Sequence, residues 1–142
     1  MATVILASGS ASRRALLEGA GIAARSVKPN VDEDTLKLAL RAEGMSVRDQ
    51  AMQLAEAKAE NGAPVWRHVS RPKLSVRTLS DQFIEAYIEA CGDALLSTVG
   101  AYQLEGMGSQ IFSKIEGDYF SILGLPLLPL LDYLRVRDVL QT

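Results

Sequence analysis

The residues best suited to chemistry lie near the amino terminus, in the run Ile5-Leu6-Ala7-Ser8-Gly9-Ser10-Ala11-Ser12-Arg13-Arg14. A short apolar strand (Thr3 to Ala7) runs into small polar residues, and two arginines follow where a helix should start. Small side chains let a ligand approach the backbone, and the unpaired N–H groups of a helix start favour an anion. Arg13 and Arg14 add forked donors that match phosphate oxygens. The competing reading is a serine-capped surface helix whose first turn carries arginines, because serine is a common cap.

Other candidate groups are sparse. The turn Pro29-Asn30-Val31-Asp32-Glu33-Asp34 is either a solvated loop or a source of carboxylates for a metal ion. Cys91 lies at helical spacing from Ile84 and Tyr87 and reads as a core thiol rather than a nucleophile. His68 sits within Val65-Trp66-Arg67-His68-Val69, a strand-like pattern, and with one histidine and one cysteine a zinc site is not expected. Lys58, taken alone, reads as a solvent-facing lysine.

At 142 residues the chain is long enough for one domain with a real core. Hydrophobic residues make up 48% and charged residues 23%, an ordinary globular balance. A net charge of −2 gives no general attraction to nucleic acid or anionic membrane, so phosphate must be held by local positive groups. A single cysteine excludes an internal disulfide and suits a reducing cytoplasm. The first residues lack the basic start and apolar run of a signal peptide. The apolar stretch from Ile122 to Leu131 is interrupted by Gly124, Pro126 and Pro129, so no membrane span is expected.

The elements that must position these groups follow from periodicity. A helix is expected over about Ala11 to Ala20, capped by Ser10, with Leu16 and Leu17 inward and Gly21 as the stop. Ala24 to Lys28 is extended. Ser46-Val47-Arg48-Asp49 resembles a capping box, and the helix behind it carries a small-residue face (Val47, Ala51, Leu54, Ala55) suited to packing on a sheet. Period-two patterns predict strands at Val65 to Val69 and Leu74 to Leu79, joined around Ser70-Arg71-Pro72. Ser80 caps a helix with the stripe Phe83, Ile84, Tyr87, Ile88 and Cys91. The glycine-rich run Gly100 to Gly108 reads as a tightly turning loop, in which Tyr102 is either core or a stacking platform. Gln110 to Ile115 is a strand, and Glu116-Gly117-Asp118 a turn. Leu125-Pro126 opens a helix with Leu127, Leu130, Leu131 and Leu134 inward. Alternating and then clustered strands argue for a mixed-sheet α/β protein.

Taken in order, Leu6 to Arg14 with Leu16-Leu17, Val31-Asp32-Glu33, Leu54 to Ala59, Ser80-Asp81 to Tyr87, Gly100-Ala101-Tyr102 with Glu105-Gly106, Ile115 to Tyr119, and Gly124 to Leu127 resemble the Maf family. The resemblance spans nearly the whole chain. It implies an elongated Maf/ITPase-like α/β fold, with a mixed curved sheet flanked by helices and a nucleotide cleft between two lobes. It also implies a house-cleaning nucleoside triphosphate pyrophosphatase, often homodimeric, cytoplasmic, and acting by metal-assisted attack of water on the α-phosphorus. Neither nucleic acid nor membrane is an expected partner. Carried over by position, Ser8, Arg13, Arg14 and Lys58 would hold phosphates, and Glu33 would ligate magnesium or manganese. Ser12, Gln103 and Glu105 would set base selectivity. Glu105 resembles the branch that handles 7-methyl-GTP, whereas Ser12 matches neither common variant. A carboxylate can accept from guanine N–H groups, so a purine preference is expected.

One departure bears on catalysis. After the helix matching Gln53 to Lys58, family members carry a buried strand ending in a Gly-(Ala/Ser)-Asp-(Thr/Gln) motif, then a lysine motif and a further helix. The aspartate is the expected general base or metal ligand. Here Glu60 passes directly to Asn61-Gly62-Ala63-Pro64. Either residues between Glu60 and Asn61 are left out of the chain, or an internal deletion has removed them. Losing a core strand would expose apolar surface and unpaired backbone, which favours the first. Adjacent Cα atoms about 3.8 Å apart would favour the second. The alternative function is a catalytically silent nucleotide-binding or interaction protein lacking the aspartate.

Overall fold

The computed structural model describes residues 4–59, 64–98 and 100–141, so the Glu60–Asn61 junction lies outside the described residues. The chain divides into two units, Met1–Ser70 with Phe120–Thr142, and Arg71–Tyr119.

In the first unit, β1 (Val4–Leu6) pairs in parallel with β2 (Ala24–Ser26), Val4 opposite Ala24 and Leu6 opposite Ser26. Helix α1 (Ala11–Gly19) makes the crossover, as parallel strands require a long connection. Ser10 caps it, its Oγ accepting from Arg13 N at 3.4 Å. Gly21, at φ +74°, turns the chain back in the left-handed region that glycine enters without cost. Late in the chain, α6 (Leu127–Val136) starts just after Pro126, and Pro129 falls in its first turn, where no intrahelical donor is lost. Leu17, Ile22, Leu127 and Leu134 form the core, with Val4, Leu6, Leu130 and Leu131 packed against it. Of the leucines expected inward, Leu17, Leu127 and Leu134 are buried and Leu130 and Leu131 pack against them, whereas Leu16 is only half-buried and lies outside this cluster.

Helices α2 (Glu33–Ala42) and α3 (Val47–Lys58) pack on one another. The acidic turn is a loop only as far as Asp32; Glu33 and Asp34 open α2. Asp32 is the N-cap of α2, accepting from Thr35 N at 3.1 Å and Thr35 Oγ1 at 2.8 Å. Those bonds hold its carboxyl below the usual carboxylate range. Only half of the capping box before α3 forms, since Asp49 bonds the Ser46 hydroxyl and not its backbone N–H. Ser46 Oγ accepts from Asp49 N at 3.2 Å and donates to Asp49 Oδ2 at 2.6 Å. Among the described residues no sheet is seen packed on α3, however, and α3 contains no buried residue. Nor does the expected strand at Val65 to Val69 form; its pattern of residues is there, but among the described residues no strand pairs with it.

In the second unit, β3 (Lys73–Val76) pairs antiparallel with β4 (Phe112–Glu116), with an irregularity between Ser75 and Val76. The strand expected at Leu74 to Leu79 is thus shorter, and its partner is the distant β4. Helix α4 (Asp81–Cys91) is capped by Ser80. Of its stripe Tyr87 is buried, Ile84 and Ile88 are exposed, and Cys91 is half-buried rather than a core thiol. Tyr87 Oη donates to Ala101 O at 3.0 Å, and burial raises its pKa. Two short 3-10 turns (Gly92–Ser97 and Met107–Ile111) flank the glycine-rich loop. At Gly108 a Cβ would lie 2.6 Å from the backbone of Gln103, so glycine is required. Tyr102 packs edge-on against Phe112, centroids 4.9 Å apart, as a structural aromatic. Helix α5 (Tyr119–Ile122) carries the chain back to the first unit.

Candidate phosphate-binding turn

The turn between β1 and α1 is built from its serines. Ser8 is buried, with 9% of its surface exposed. Its N–H donates to Leu6 O at 2.8 Å, and its Oγ accepts from Ser10 N at 3.2 Å. Arg13, one turn into α1, folds back onto the same oxygen: Nη1 donates to Ser8 Oγ at 3.2 Å. Its Nε donates to Gly124 O at 2.8 Å, which fixes the guanidinium from the far end of the chain. Gly124 sits at φ +108°, a conformation that side-chain-bearing residues rarely adopt.

This arrangement leaves donors for an anion. The N–H groups of Gly9, Ala11 and Ser12 have no hydrogen-bond partner among the described residues. The Ser8 hydroxyl is used only as an acceptor, so its proton is available, as are the remaining guanidinium N–H groups. Backbone amides, a hydroxyl and an anchored arginine at a helix start are the components of a phosphate cradle. Arg14 is exposed on the next position.

A second pair of expected residues meets elsewhere in this unit. Lys58 Nζ, at the end of α3, lies 2.7 Å from Glu33 Oε1 at the start of α2. Lys37 flanks it at 3.6 Å from Glu33 Oε2. The Lys58 hydrogen bond is the main cause of a Glu33 pKa below the ordinary carboxylate value. Among the described residues, no group of three or more His, Cys, Asp or Glu side chains is placed to hold a metal. Glu33 thus offers one carboxylate, enough for an ion shared with substrate phosphates but not for an all-protein site.

The expected selectivity residues divide between the units. Ser12 is exposed on α1, whereas Gln103 and Glu105 lie in the loop before Met107. Tyr119 Oη donates to Glu105 Oε1 at 3.0 Å, and this bond raises the tyrosine pKa. Sequence reasoning missed three contributors: the Gly124 carbonyl, the Asp32 cap and Tyr119. Only Asp32 had a local signal, in its spacing from Thr35.

An α/β protein with a serine-lined anion turn after its first strand is the class this geometry defines. The model of the family described as Maf-like protein matches residues 3–65 and 60–137. A nucleoside triphosphate pyrophosphatase of Hyphomonas neptunium is 48% identical over 194 positions, covering 98% of both chains. A protein of the same name from Rhodospirillum rubrum is 36% identical over 193, covering 96% of both. A 7-methyl-GTP pyrophosphatase of Rhizobium meliloti is 38% identical over 188, covering 93% of this chain and 94% of the other. The chain belongs to the Maf family. The alignment with the Hyphomonas relative spans 194 positions against 142 residues here, so 52 or more of those positions have no residue of this chain. The two pieces of the family match meet at residues 60–65, where the sequence departs from the family pattern. Among the described residues, no helix is long and apolar enough to cross a membrane.

Proposed function

We propose that this chain is a nucleoside triphosphate pyrophosphatase of the house-cleaning type, cytoplasmic and homodimeric, that takes its substrate's phosphates at the Ser8–Arg13 turn. The observation that carries the reading is Arg13, tied to both Ser8 Oγ and Gly124 O beside unpaired backbone N–H groups. Preorganised donors bind developing negative charge without reorganising at the moment of reaction. Arg14 and Lys58 add positive charge for the triphosphate. Glu33 is the residue that would hold a magnesium or manganese ion, and such an ion would neutralise phosphate charge. Glu105, oriented by Tyr119, would favour a purine, with methylated guanine included.

A second reading is favoured by the 52 or more positions without a counterpart here. If the general base lies among them, this chain binds nucleotide and does not turn it over. Intact mass and pyrophosphate release with added magnesium separate the two. Release of pyrophosphate and nucleoside monophosphate establishes the enzyme. Triphosphate binding without turnover, at an intact mass of 15.3 kDa, establishes the silent binder. Binding measured across common and methylated nucleotides tests the purine preference, and a strong preference for dTTP or UTP would overturn it.

A further inference from the structure

An open groove of about 600 Å³ in the first unit has Arg13 and Gly124 in its lining, so it continues directly from the phosphate turn. Helix α3 contributes Ala55 and Glu56 to it, and the chain beyond contributes Trp66 and His68. We infer that this groove takes the nucleoside half of the substrate, with the base stacked on the His68 imidazole and the sugar beside Glu56. The inference rests on the proposed function, because phosphates held at the turn are what bring a nucleoside to the groove.

Size and lining both suit a nucleoside. Small-molecule sites are clefts of roughly 300–1,000 Å³, mostly apolar, with a few polar groups that fix orientation. Here the short side chains of α3 leave the room, and an aromatic series supplies the platform. Trp66 stacks on Tyr133 of α6, centroids 5.1 Å apart and planes 18° from parallel, and His68 stacks on Trp66 at 5.9 Å and 12°. His68 is the exposed member of these three near-parallel rings, and no second ring stacks on it among the described residues. A base would extend the series as its next ring, and stacking of this kind accepts every base because each has a π-face. The polar groups are also in place. Glu56 Oε1 is held by Arg67 Nε at 2.7 Å, whereas Oε2 has no hydrogen-bond partner among the described residues and can accept from a sugar hydroxyl. Val65 to Ser70 make no backbone hydrogen bond among the described residues, which leaves N–H and C=O groups for a base edge. Arg13 keeps its remaining guanidinium N–H groups for the phosphate end.

Two probes separate the halves of the site: inorganic tripolyphosphate, which has no nucleoside, and the α,β-methylene analogue of GTP, which resists cleavage at the scissile bond. Both are titrated calorimetrically into the full 142-residue chain, and the emission of Trp66, its one tryptophan, reports on the groove. The analogue should bind at least about fivefold tighter than tripolyphosphate and should alone change Trp66 emission saturably. His68→Ala should weaken the analogue by about fivefold to a hundredfold, the usual loss for a stacking ring, and leave tripolyphosphate unchanged. His68→Phe keeps a ring and should restore the analogue's affinity. Equal binding of the two probes would overturn the inference while upholding the phosphate turn. So would equal loss of both in His68→Ala, which would make the histidine merely structural, or failure of His68→Phe to restore binding. Saturable binding of guanosine that His68→Ala abolishes, with no binding of tripolyphosphate, would uphold the groove and defeat the phosphate reading.

Discussion

Helices α1 and α3 belong to the same unit and start in the same way, with a serine whose Oγ accepts from the N–H three residues on. Their fates differ. Helix α1 sits against the β1–β2 pair and α6, and buries Leu17 to 1% exposure. Helix α3 is longer, has an additional cap bond between the Ser46 hydroxyl and Asp49, and contains no fully buried residue; Val47 stays 83% exposed. Capping satisfies the ends of a helix and fixes where it starts, but burial needs a second layer to receive the apolar face. For α1 that layer is present. For α3 no layer that receives the small-residue face is seen among the described residues.

The strongest way to break this contrast is by truncating side chains. Leu17→Ala should cost about 2–5 kcal/mol in chemical denaturation, the usual range for a fully buried leucine. Val47→Ala on α3 should stay within about 0.5 kcal/mol of the parent. Equal losses would mean that α3 is packed in solution and that the contrast is false.

Next in size is the functional side of the same contrast. Arg13 is anchored by α1 and the Gly124 carbonyl, whereas Lys58 ends α3 in an ion pair. Arg13→Ala should weaken triphosphate binding by about 10- to 100-fold, as expected for loss of charge-assisted hydrogen bonds. Lys58→Ala should weaken it less, by about threefold to tenfold, because Lys58 must first leave Glu33. Calorimetric titration of both variants checks the order. Unchanged affinity in Arg13→Ala would remove the phosphate role from the turn.

The same division explains what could be read from the chain in advance. The serine-capped turn was legible because it is local: strand, serine cap and arginine lie within ten consecutive residues. The leucines of α6 were legible because a 3.6-residue period marks an inward face wherever a core exists. Other features depend on distant partners. Val65 to Val69 has a strand's alternation, but alternation reports suitability for a sheet and cannot supply the neighbouring strand. The Leu74 region pairs with Phe112–Glu116 across a long loop, so the adjacent-hairpin expectation failed for want of any local sign of register. The Gly124 carbonyl that fixes Arg13 is 111 residues away, and a backbone acceptor leaves no mark in side-chain pattern. Asp32 was read as an acidic loop residue because the helix behind it was missed.

The smallest expected effect concerns the Glu33–Lys58 pair, which joins the end of α3 to the start of α2. Lys58 holds the folded-state pKa of Glu33 below its ordinary value of 4.5. A carboxyl with a depressed folded pKa contributes stability that is fully present above the unfolded value and is lost as pH falls through the folded one. The contribution is limited to under about 1 kcal/mol, since both side chains are partly open to solvent and to screening. Melting curves between about pH 6 and pH 3 should therefore show a slightly steeper loss of stability in the parent than in Glu33→Gln. The difference should shrink in high salt. If it persists there, the pair is shielded from solvent, which would mean that the open side of α3 is covered in solution after all.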